Sequence, residues 1–235
     1  MTSDPASQPQ RAHFLLAALL ALFFLYPLLG ESHVGAMALD VFVAASLLLT
    51  VHALKGTDER VFRAAAVISA LAIATAAGSH LGGFTALLPI GHVLGFLFFL
   101  LTGFTLMRRT VVPGHVTENR ICAAICAYIL IGLGWGLVFS LMEHLQPGAF
   151  LDPAGGTHDG HAVLAGYPHL TYYSFTTLTT LGFGDVVPAT PLARSLSTLA
   201  AVGGQLYLAV LVARLVGLQS ARLAAADLPP ETPKP

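Results

Sequence analysis

Charge is what this sequence has least of. Asp, Glu, Lys and Arg make up 10% of its 235 residues, and they nearly cancel to a formal net charge of −1. With no basic stripe to neutralise phosphates, nucleic-acid binding is excluded. Cysteine is almost missing too: only Cys122 and Cys126 occur, one helical turn apart in an apolar run. That rules out a disulfide framework, and buried free Cys in such a setting behaves as a small hydrophobic packing residue. The tail after Leu218 turns Ala-rich and then Pro-rich and is too short for a folded sensor domain, so no nucleotide- or calcium-binding appendage is expected there. No arrangement of acid, base and nucleophile points to covalent chemistry, and neither an enzyme nor a cofactor is expected.

What the chain does have is apolar residue, 55% of the total, gathered in runs too long for strands or ordinary core helices. That is the composition of a membrane protein. Crossing a bilayer takes about 20 apolar residues in a helix. Six stretches qualify: His13–Leu29, Val34–Leu54, Val61–Ala77, Phe84–Met107, Asn119–Met142 and Pro191–Leu218. The first could pass for a secretory signal because Arg11 precedes it, but its run is longer than the roughly 7–15 residues of a signal core, so a retained span is expected.

Between the fifth and sixth spans, Pro168–Thr180 is apolar and aromatic but too short to cross, and it reads as a re-entrant helix. Orientation follows from the bases, which gather on the cytoplasmic side. Arg11, Lys55, Arg60, Arg63, Arg108, Arg109 and Arg120 fall on one side of six alternating spans, whereas the opposite loops carry Glu31, Asp152, Asp159 and Asp185 with Arg194 as their base. Both termini are therefore expected in the cytoplasm of a multi-pass protein of the plasma or inner membrane, with the re-entrant helix entering from outside. The domain division expected is a cytoplasmic amino terminus (1–12), a four-helix module (13–110), a pore block (117–218) and a cytoplasmic tail (219–235).

The most informative residues run from Thr171 to Asp185. Within them Thr180-Leu181-Gly182-Phe183-Gly184 resembles the Thr-Val-Gly-Tyr-Gly filter of the potassium channel family, and the resemblance extends over outer helix, pore helix, filter and inner helix. It implies an all-α membrane protein of six transmembrane helices plus a re-entrant pore helix and filter, assembled as a homotetramer in the lipid bilayer. K+ would be the permeant ion, held by backbone oxygens of Thr180, Leu181, Gly182 and Phe183 and by the Thr180 hydroxyl, standing in for the water it sheds. Gly182 and Gly184 would supply the positive φ that aligned carbonyls need. By the same resemblance Tyr172 and Tyr173 occupy the paired aromatic cuff, Thr177 and Thr179 the pore-helix threonines, Asp185 the outer-mouth acid, Arg194 a base at the start of the inner helix, and Gly203 and Gly204 the gating hinge.

Three positions depart from the pattern. Phe183 stands where Tyr is usual and lacks its hydroxyl, Thr176 stands where some relatives carry a Glu that pairs with the filter acid, and Leu181 lacks the β-branched stiffness of Val or Ile. A softer filter is expected. The fourth span holds no Arg or Lys before Arg108, so gating by moving charge through the field is not expected. Asp40 and His92 are ionisable residues within spans, where a pH- or ion-sensitive contact competes with a structural pair. His144, His158, Asp159, His161 and His169 form a loose outer group, either a zinc or proton sensor or a solvated turret made flexible by Gly155, Gly156 and Gly160. The functional alternatives are a less selective cation channel of the same fold, a non-conducting sensor or regulatory subunit, and a potassium transporter, against which the single pore loop weighs.

Overall fold

A computed structural model describes residues 10–29, 47–52, 58–82, 87–111, 118–151 and 163–226. They form six helices and one small sheet: α1 (Gln10–Leu29), α2 (Glu59–Gly82), α3 (Leu88–Val111), α4 (Glu118–Leu145), β1 (Phe150–Leu151), α5 (Val163–Leu178), β2 (Val187–Pro188) and α6 (Pro191–Ala226), with residues 47–52 helical as well.

Among the described residues, three helices are long and apolar enough to cross a membrane: Pro89–Arg108 of α3, Glu118–Leu145 which is α4, and Pro191–Gly217 of α6. They match the fourth, fifth and sixth expected spans. The first expected span falls on α1, in which Ala12–Ala21 is an apolar stretch, and the third falls on α2. Most of the second, Val34–Leu54, lies outside the described residues.

The hub of the fold is α4. In its most apolar 18 residues 56% are buried, against 17% in the corresponding stretch of α6. Small side chains explain it: Ala123, Ala124, Cys126, Ala127, Gly132, Gly134 and Gly136 are all buried on α4 and let neighbouring backbones come close. One apolar cluster joins α4 to α1, α2, α3 and residues 47–51 through Leu15, Leu19, Leu47, Ala65, Phe98 and Leu130. The cysteines serve that packing. The Cys126 thiol is buried and donates a weak bond to the Ala12 carbonyl at 3.7 Å, fastening α1 to α4.

A second cluster holds α5 between α4 and α6. The rings of Phe139, Phe150 and Tyr173 meet steeply inclined, with centroids 5.1–5.4 Å apart, and Leu178, Ala193 and Ala200 complete it. The strands pair antiparallel, Phe150 opposite Pro188 and Leu151 opposite Val187, and the Ala189 amide adds a bond to the Ala149 carbonyl at 2.8 Å. The chain leaving α4 is thus tied to the segment just beyond the glycine-rich loop. The Glu143 carboxylate prepares that turn, accepting from the Gly148 amide at 2.7 Å and from the Phe150 amide at 2.9 Å. Gly148 takes a φ of 85°, open to glycine without side-chain clash.

Candidate functional site

Two glycines of α4 seat the short helix. A Cβ at Gly132 would collide with the Phe175 ring, and one at Gly136 would lie 2.7 Å from Thr171 Oγ1. Their spacing, four apart on one helix face, lets α5 approach closely, and the Ser174 hydroxyl uses that proximity to donate to the Gly132 carbonyl at 2.7 Å. On the other side Tyr173 donates to Ser197 Oγ of α6 at 2.7 Å. The short helix is clamped on both faces.

Its bounds differ from expectation: it starts at Val163 rather than Pro168 and stops at Leu178 rather than Thr180. The stop has a local cause. The Thr180 amide bonds the Thr177 carbonyl at 3.0 Å and the Leu181 amide bonds the Thr176 carbonyl at 2.8 Å, the paired bonds of a Schellman cap. Such a cap needs a left-handed residue past the helix end. Here that residue is Thr180, with φ 58°, where glycine or Asn is usual.

Two residues further on, Gly182 has φ 53°, and two beyond that Gly184 has φ 81°. Left-handed residues therefore alternate through the loop, at 180, 182 and 184. Alternation of hand along a chain turns successive peptide planes to the same side, in contrast to the opposite-facing carbonyls of a strand. The glycines behave as the sequence led us to expect; Thr180 joins them unexpectedly, because a β-branched residue at positive φ is costly. A Cβ at Gly182 or Gly184 would meet nothing within 4 Å, and Leu181 and Phe183 are 57% and 66% exposed. Within one chain the loop is bare.

Asp185 lies just past the loop. Tyr172 donates to its Oδ2 at 2.6 Å, and the Val186 amide donates to Oδ1 at 3.0 Å. The Tyr172 hydroxyl thereby occupies the acid that no Glu at 176 can reach; Thr176 instead turns its hydroxyl back to the Tyr173 carbonyl at 3.0 Å. These bonds, led by Tyr172 and helped by nearby His169, hold the Asp185 carboxyl below its ordinary range. Thr177 caps through its carbonyl, and the Thr179 hydroxyl donates to the Phe175 carbonyl at 2.7 Å. Arg194 reaches the Pro188 carbonyl at 3.2 Å, bracing β2.

On α6 the glycine pair divides in role. A Cβ at Gly204 would collide with the Leu178 carbonyl and lie 2.8 Å from Leu178 Cγ, so a side chain there would displace the end of α5. Gly203 faces open space, and α6 runs unbroken through both. Tyr128 donates to the same Leu178 carbonyl at 3.3 Å, and the buried Tyr207 donates to the Ala124 carbonyl at 2.6 Å, tying α6 to α4.

Sequence reasoning missed Gly132, Gly136, Ser174, Tyr128, Ser197, Tyr207, Glu143 and Gln205. The Gly132/Gly136 spacing was a usable signal; the others became neighbours only through folding. Of the outer histidine group, His144 lies in the last turn of α4 and His169 on α5, while His158, Asp159 and His161 lie outside the described residues, as does Asp40. No group of three or more metal-ligating side chains occurs among the described residues.

A short helix clamped between two membrane-length helices, running into a loop of alternating backbone hand and ending at a tethered acid, is the architecture of a membrane channel pore. Residues 161–218 match a family model described as ion channel, and that stretch carries the resemblance to the potassium channel family. Comparison with curated proteins and with solved structures found no match.

Proposed function

We propose that the chain is a subunit of a potassium-selective channel in which four copies surround one axis and the loops Thr180–Gly184 form the filter. The observation that carries this is the left-handed φ at 180, 182 and 184, which suits a row of carbonyls facing one way, combined with the bareness of the same loop in a single chain. Non-helical backbone at membrane depth is tolerated only when buried in protein or lining water, and fourfold assembly satisfies both. Asp185 gathers cations outside, Tyr172 and Tyr173 brace the filter, and Gly203 allows α6 to bend while Gly204 seats it. The module of residues 13–110 packs around the outside of the pore through α1 and α3, with both termini in the cytoplasm and six spans in the plasma or inner membrane.

Purified protein in liposomes provides the test. Potassium flux blocked by barium, an ion of potassium's size and twice its charge, is expected, with a reversal potential that follows the potassium gradient in mixed sodium and potassium. A reversal potential insensitive to that exchange would replace potassium selectivity with general cation conduction on the same fold. Absence of flux across pH and voltage would favour a non-conducting sensor or regulatory subunit instead.

A further inference from the structure

Gln205 follows the seating glycine of α6, and its side chain reaches the foot of the glycine-rich loop. The carboxamide nitrogen donates to Thr180 Oγ1 at 3.4 Å, while the Thr180 hydroxyl hydrogen is committed to the Thr179 carbonyl at 2.6 Å. A hydroxyl has one hydrogen and two lone pairs. With the hydrogen held by Thr179 and one lone pair facing Gln205, a single lone pair is left for a cation. The register is not accidental, because Gly204 rests on the Leu178 carbonyl and so sets the height of residue 205 against the loop. Gln205 is also exposed within the chain, on the side of α6 that meets Thr180 rather than on the face buried against α4 and α5.

We infer that Gln205 is a positioning residue for the innermost ion site, orienting the Thr180 hydroxyl and weakening its grip on a bare cation. This rests on the proposed channel function. An amide N–H pointed at a ligand oxygen draws on that oxygen's negative field, and the loss scales with the charge of the ion it would hold. Conduction requires a site that ions can also leave. A divalent ion of potassium's size is therefore the sensitive probe, and it acts from the side on which Gln205 stands.

The experiment uses the full chain in planar bilayers, with barium added separately to each side. Gln205→Leu removes the donor at similar size and is expected to raise inner-side barium affinity about tenfold, equivalent to about 1.4 kcal/mol, with outer-side affinity changing much less. Gln205→Glu replaces the donor with a carboxylate and is expected to raise inner-side affinity further. On a Thr180→Ser background, which keeps the hydroxyl, the Gln205→Leu effect should persist. A merely structural role for Gln205 would move block from both sides alike, and that result overturns the inference, as does unchanged block in both Gln205 variants of a conducting protein. If the unaltered chain passes no potassium at all, the channel proposal itself fails and the inference falls with it.

Discussion

Thr180 is a β-branched residue held where glycine would be comfortable. Left-handed backbone at a residue bearing Cβ costs roughly 1–2 kcal/mol, and such strain survives where surrounding structure over-determines it. Thr180→Gly is therefore expected to stabilise the folded protein by about 1 kcal/mol while removing the hydroxyl oxygen from the filter's inner end. Thermal melting in detergent should rise as potassium-over-sodium preference falls; a melt that drops instead would show that the hydroxyl's own bonds outweigh the backbone cost. At the outer end, Tyr172→Phe leaves the ring and deletes the bond to Asp185, so faster decay of current during sustained opening is expected. That contact should also resist acid. A carboxyl held below its ordinary value of 3.8 stabilises the bridged form at every pH above that value and loses the contribution only as pH falls through the lower folded-state pKa. Acidification from pH 7 to pH 5 should consequently leave the Tyr172 effect intact, and a Tyr172→Phe phenotype that disappears at pH 5 would contradict this.

Helix contacts here depend on missing side chains. Adding one methyl at Gly132 drives it into Phe175, and at Gly204 into the carbonyl end of α5. Overpacking of this kind costs about 1–3 kcal/mol, so Gly132→Ala and Gly204→Ala are expected to lower thermal stability. Gly203→Ala is the internal control: its Cβ meets open space, and the gain in helix propensity over glycine is about 1 kcal/mol. Stability should hold or rise in that variant, and if Gly203 is a bending point, open probability should fall. Equal losses at Gly203 and Gly204 would erase the division of roles drawn from the structure. At this scale the sequence was readable where length and apolarity decide the outcome, as for α3, α4 and α6. It set the bounds of α5 a few residues off, and the stop depends on cap bonds among Thr176, Thr177, Thr180 and Leu181 that have no compositional signature.

Across the whole molecule, burial is lopsided. Most of α4 is covered by its own chain, but α6 presents Leu199, Val202, Leu206, Val210 and Val216 outward, and the loop adds Leu181 and Phe183. Lipid can cover a helix face, yet it cannot satisfy the polar backbone of a loop. Native mass spectrometry of the purified protein is expected to give four chains per particle, and Leu181→Asp, which places charge on a surface assigned to a neighbour, should shift the distribution to fewer. A stable monomer with full potassium flux would overturn the assembly.

What the residues determined unaided is the solvent and part of the loop's backbone: scarce charge and long apolar runs call for a bilayer, and glycines at 182 and 184 admit positive φ without side-chain clash. Tertiary structure alone decided how that loop is held. Tyr172 meets Asp185 across 13 positions of chain, Gln205 meets Thr180 across 25, and Tyr128 meets Leu178 across 50. Bonds between distant residues arise from the angle and register at which helices pack. That register is set by where side chains are too small to keep backbones apart, and local sequence does not say which neighbour will take the space.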